Sequence, residues 1–209
     1  MRPDRFFQYA ILFEGGLGII ALFFSILCGL NLWYGVNFGI TEIFSIFIFT
    51  VPLLVCYFIS VILPFESIRG IKRLIYKFFQ EYMSQLTILQ LAVIAIVAGL
   101  GEELFFRGLL QYGLCTTIDT WTKDTIRFGT EYWINYRLAL IIIFVSILFG
   151  AAHAMTKMYF FLAFIISIYL GIIMIQTGNI IIPIAVHAIY DFFVFIVISK
   201  DLKRKENAA

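Results

Sequence analysis

Apolar runs of about twenty residues, separated by short polar breaks, dominate the chain. Six stretches fit this description, at about 9–30, 43–63, 86–113, 138–156, 158–176 and 180–199. Each is long enough to cross a hydrocarbon core of roughly 30 Å as a helix. A helix satisfies its own backbone hydrogen bonds in lipid. The pattern therefore predicts an all-α, polytopic membrane bundle of about six transmembrane helices. The connector 64–85, PFESIRGIKRLIYKFFQEYMSQ, mixes bases and aromatics at helical spacing. It is expected to form an amphipathic helix along the membrane interface. Segment 114–137 reads as the longest polar loop, and its Trp121 and Trp133 suit a membrane boundary. No internal repeat, low-complexity tract or linker interrupts the chain, which predicts a single membrane domain over 1–209.

Composition agrees with this picture. Hydrophobic residues make up 62% of the 209 positions and charged residues 13%, against about 25% charged in soluble domains. Mean hydropathy is +0.99. The net charge of +2 is too small to suggest a nucleic-acid partner. Lys and Arg placement is more informative. With the N-terminus inside, inner segments hold eleven bases (Arg2, Arg5, Arg69, Lys72, Arg73, Lys77, Lys157, Lys200, Lys203, Arg204 and Lys205) and outer segments three (Lys123, Arg127 and Arg137). This bias predicts both termini on the cytoplasmic side of a cell membrane.

Cys28, Cys56 and Cys115 lie in or beside apolar runs without metal-ligand spacing, so they read as small core residues. The basic N-terminus precedes a run that holds Glu14 and lacks an A-x-A site, which reads as a retained span and not a cleaved signal. The tail KDLKRKENAA reads as a solvated basic anchor and is not a C-a-a-X box.

Ionisable groups inside the spans are few. An acid or base at a helix centre costs about 2.5–3.5 kcal/mol on insertion scales, so such groups face the interior and mark sites or pathways. The stretch GEELFFRG places Glu102, Glu103 and Arg107 in the third span. FGAAH places His153 in the fourth, and HAIYD places His187 and Asp191 in the sixth. Glu103 and Arg107 are four apart and can pair on one helix face, a role that could be purely structural. Glu102 lies roughly 140° around a regular helix from Arg107 and must find its partner on another span. His187 and Asp191 are also four apart, as are Phe149 and His153, so Phe149 is expected to pack beside the His153 imidazole. Glu14 in the first span has no evident partner.

A desolvated carboxylate can serve as a general base near neutral pH. With a histidine it could deprotonate water for attack on a carbonyl, while a second histidine stabilises the oxyanion. G-x-S-x-G and H-E-x-x-H are both absent, and no cysteine neighbours either histidine. Water-activated hydrolysis fits this inventory better than covalent catalysis does; no cofactor is expected, and zinc held by two histidines and a carboxylate is an alternative.

These residues, in this order, resemble the CPBP family, the CAAX-protease and bacteriocin-processing membrane proteins also called Abi or type II CAAX prenyl endopeptidase-like. The resemblance rests on E-E-x-x-x-R (Glu102, Glu103, Arg107), F-x-x-x-H (Phe149, His153) and H-x-x-x-[ND] (His187, Asp191). The flanking runs FFRGLLQYGL and GIIMIQTGNIIIPIAVHAIYD carry it further, over a core at about 86–199. The first two spans carry no matching motif.

The resemblance implies an intramembrane glutamate-type endopeptidase in a cell membrane. Its substrate would be a membrane-associated peptide or protein, with the lipid bilayer as surroundings. Glu102 would be the general base and His153 would help activate water. His187 and residue 191 would stabilise the oxyanion, with Glu103 and Arg107 in support. The eukaryotic enzyme has asparagine at the last position. Asp191, when ionised, cannot donate a hydrogen bond and is expected to orient His187 instead. A short six-span chain of this kind reads as bacterial, where a non-prenylated precursor is the expected substrate. The competing readings are a non-proteolytic immunity or scaffold member, which would have lost a motif residue, and an ion-coupled transporter, which would show inverted repeats.

Overall fold

The computed structural model describes residues 3–33, 35–62, 66–122 and 136–206. Among them every regular element is helical. In chain order these are α1 (Pro3–Leu27), α2 (Ile40–Ile62), α3 (Glu66–Tyr82), α4 (Ile88–Glu103), a π-helical segment (Leu104–Tyr112), α5 (Gly113–Thr122), α6 (Tyr136–Ala152), α7 (Lys157–Thr177) and α8 (Ile181–Glu206). The protein is an all-α, polytopic membrane bundle. Arg5–Leu27, Ile40–Ile62, Ile88–Ile118, Lys157–Thr177 and Ile181–Arg204 are each long and apolar enough to cross a membrane.

Two spans differ from expectation. The third does not end at 113: α4, the π segment and α5 follow one another without a break, and the apolar span within them runs 31 residues, Ile88–Ile118. The start of the expected polar loop is thus helical, while Lys123, Arg127 and Trp133 lie outside the described residues. The fourth, expected over 138–156, is the 17-residue helix Tyr136–Ala152, about 26 Å long at 1.5 Å per residue.

α4 is the central element, packed on α8 and α1, while α6 and α7 pair beside it. It starts with a capping box in which the Thr87 side chain accepts from the Gln90 N–H and the Gln90 side chain reaches back to the Thr87 backbone. Glycines allow its close crossings. A side chain on Gly99 would meet Ala188 N and Ile184 O of α8 at 2.9 Å. One on Gly101 would run into the Glu14 carbonyl of α1. Both crossings flank the two glutamates.

α7 ends at Gly178, with φ +60, a backbone conformation that favours glycine. Asn179 then accepts from Ile181 N at 3.1 Å and donates to Asn37 O at 2.7 Å, tying the start of α8 to the α1–α2 connection. α3 buries Ile71 and Phe79, the latter in a cluster with Ile198 and Leu202 of α8. Its outer face carries Glu66 paired with Arg69 and Arg73.

The outer surface is apolar, with Phe44, Phe47, Ile48 and Val51 of α2 among its exposed side chains. The same surface corrects one reading. Cys28 and Cys56 are exposed and only Cys115 is a core residue. In a membrane bundle the lipid-facing side is as apolar as the core, so an apolar run does not say which way a small residue points.

Candidate functional site

The three motifs meet at the C-terminal end of α4. Glu103 and Arg107 are fully buried and pair through Oε2 and Nε at 3.1 Å, although without hydrogen-bond alignment. The other oxygen, Oε1, contacts His187 Nδ1 of α8 at 2.8 Å. A carboxylate oxygen only accepts, so Nδ1 carries the proton in this contact. Glu103 therefore bridges the arginine and the histidine of two different motifs. Pairing with Arg107 alone, as the helical spacing suggested, accounts for half of its contacts.

Arg107 donates through Nη2 to the backbone oxygen and to Oγ of Ser167 on α7, both at 3.0 Å. One turn on, Gln111 donates to Gly171 O at 3.0 Å. Both donors come from the π-helical segment, and π-helical turns recur at functional sites. Ser167 and Gln111 were not among the expected site residues. Each is a lone polar residue beside an apolar run, which is the signal that could have found them.

His153 does not lie within a helix, contrary to expectation. It is the first residue of the turn after α6, where its N–H bonds to Gly150 O at 3.1 Å. Its Nδ1 donates to Phe149 O at 2.8 Å. That contact fixes the tautomer and leaves Nε2 facing Glu102 Oε1 at 3.7 Å. The separation exceeds a hydrogen bond and suits a shared water. The second oxygen of Glu102 is buried without a hydrogen-bond partner among the described residues. The Phe149 ring stacks on the His153 imidazole, with centroids 4.5 Å apart and planes at 19°. The Arg107 guanidinium lies over the same ring, 5.0 Å from its centroid.

His187 Nε2 is 3.5 Å from Asp191 Oδ2, so Asp191 is the looser of its two carboxylate neighbours. The side chain of His187 is 8% exposed, Asp191 24% and His153 26%, so the site opens on the side of the last two. Tyr159 of α7 stands edge-on to the His153 ring, with centroids 6.1 Å apart. Among the described residues no three His, Cys, Asp or Glu side chains are grouped as ligands of one metal ion.

Chemically, this arrangement offers a buried acid with an unused oxygen, an imidazole nitrogen turned toward it, and a second imidazole held between two carboxylates. Comparison with known proteins adds one finding. Residues 84–193 match the family model of the type II CAAX prenyl endopeptidases, Rce1-like. Neither curated proteins nor solved structures give a significant match.

Proposed function

This chain belongs to the type II CAAX prenyl endopeptidase Rce1-like family, and from that premise we propose that it is an intramembrane endopeptidase working through water held by Glu102 and His153. The observation that carries the reading is the 3.7 Å gap between Glu102 Oε1 and His153 Nε2, with Nδ1 of that ring already committed to Phe149 O. A water bridging the gap donates one hydrogen to each partner.

Attack forms a bond between the water oxygen and the scissile carbonyl carbon, and the water's proton moves to the Glu102 carboxylate. The carbonyl electrons become an oxyanion. His187 answers this charge by donating from Nε2 while Nδ1–H stays on Glu103; donation from both nitrogens uses the imidazolium form. Collapse breaks the C–N bond, and the proton on Glu102 goes to the leaving nitrogen. Asp191, an acceptor beside Nε2, orients His187 in the resting site and gives up the Nε2 hydrogen to the oxyanion. Glu103, Arg107 and Phe149 hold the two imidazoles in place.

The catalytic core covers 86–199 within one membrane domain over 1–209, with both termini on the cytoplasmic side and a membrane-associated peptide or protein as substrate.

Mass spectrometry of membrane-associated peptides from cells carrying wild-type or Glu102→Gln protein tests this reading, alongside a farnesylated C-a-a-X peptide offered to the purified protein in liposomes. Cleavage products confined to the wild type, a loss of at least about a hundredfold for a general base, are expected. Equal cleavage by both proteins would overturn the proposal. Cleavage of natural peptides but not of the farnesylated one would mark the substrate as non-prenylated.

A further inference from the structure

An acid of the first span, Glu14, has no role in this reaction. Glu14 belongs to α1, outside the matched residues 84–193. Its carbonyl fills the space where a side chain on Gly101 would begin, and a side chain on Gly18 would lie 3.4 Å from Gly101 Cα. α1 is thereby seated with the Glu14 turn beside Glu102. Oε2 of Glu14 and Oε2 of Glu102 are both buried without a hydrogen-bond partner among the described residues.

The groups whose charges reach Glu14 are Glu102 on α4, His153 in the turn after α6, and His187 and Asp191 on α8. These are the four residues assigned to the reaction. Arg107, from the π segment, is committed to Glu103 and Ser167. Two buried carboxylates set side by side hold a single proton between them more cheaply than two negative charges.

We propose that Glu14 is a positioning residue of the catalytic centre, a second carboxyl group coupled to Glu102 that shares one proton with it and keeps it available as the base. This rests on the reading of Glu102 as general base. The coupling itself can be measured without any substrate.

The experiment is a pH titration followed by infrared difference spectroscopy on the detergent-solubilised full chain. Wild type, Glu14→Gln, Glu102→Gln and the double variant are compared, the Glu102 carboxyl signal being the one lost in Glu102→Gln. The midpoint of that signal is expected to move by about one pH unit or more in Glu14→Gln, with the two single changes failing to sum to the double. Turnover of whichever peptide the wild type cleaves should fall in kcat with little change in KM, and Glu14→Asp should recover part of it.

An unmoved Glu102 signal with additive spectra overturns the proposal and leaves Glu14 as a packing residue. Failure of both the Gln and the Asp variant to fold does the same. The hydrolase reading fails on a different result, undiminished cleavage by Glu102→Gln, which leaves the coupling intact.

Discussion

Glu103 and His187, 84 residues apart, meet at 2.8 Å in a contact where the carboxylate is fully buried and the imidazole nearly so. Because the other oxygen of Glu103 faces Arg107, one carboxylate neutralises the helix it belongs to and fixes a histidine on another. The two adjacent glutamates should therefore fail in different ways. Glu103→Gln keeps the shape but leaves the Arg107 guanidinium as an uncompensated buried charge, a loss of about 3–5 kcal/mol. Glu102→Gln removes no comparable partner. Thermal unfolding in detergent should show a large drop for the first and little change for the second. Equal stabilities would refute the bridging role.

Phe149 connects the two halves of the site, with the His153 imidazole stacked on its ring and the Arg107 cation over it. Aromatic stacking and a desolvated cation–π contact are worth about 1–2 kcal/mol each. Phe149→Leu should therefore lower stability measurably. It should also reduce turnover, because the His153 ring loses the surface that orients it. A fully active, equally stable Phe149→Leu protein would show that the backbone bond from His153 Nδ1 to Phe149 O is sufficient.

Much of this site could be read from the sequence, because burying a charge in lipid is costly enough that an ionisable residue deep inside an apolar run stands out. What could not be read was which pairs form between helices. Spacing along one helix places Glu103 beside Arg107, but nothing local places it beside His187. Helical-wheel angles assume 3.6 residues per turn, and the chain becomes π-helical from Leu104, directly after the glutamates. The apolar run through FGAAH suggested a longer fourth span, whereas the helix ends at Ala152 and delivers His153 from a turn. The place of Glu14 was hidden for a related reason: it depends on a backbone contact with Gly101 across two helices.

Tyr76 supplies a pH test outside the spans. Its hydroxyl donates to Asp201 Oδ2 at 2.7 Å, and partial burial with this bond pushes the phenol well above the usual tyrosine range. The folded protein therefore holds this proton more tightly than the unfolded chain, whose tyrosines titrate near pH ~10. The contribution is complete below that pH and is lost as pH rises through the folded value. Tyr76→Phe should be less stable than wild type at neutral pH, with the difference shrinking in alkali. A difference independent of pH would assign the effect to packing.

Gly101 and Gly16 are helical glycines of the two crossing helices, one inside the contact and one outside it. A methyl group on Gly101 would fall on the Glu14 carbonyl of α1, whereas one on Gly16 meets nothing within 4 Å. At Gly16, alanine relieves the helix of glycine's backbone entropy and should stabilise it by about 0.5–1 kcal/mol. At Gly101 the same gain is outweighed by overpacking against rigid backbone, typically about 1–3 kcal/mol. The expected result is opposite shifts in unfolding temperature, Gly16→Ala upward and Gly101→Ala downward. Gly101→Ala should also lose activity beyond its stability loss, because pushing α1 away displaces the helix that seats beside Glu102. If the two variants behave alike, α1 does not cross α4 at this point, and the position of Glu14 beside the site would have to be abandoned with it.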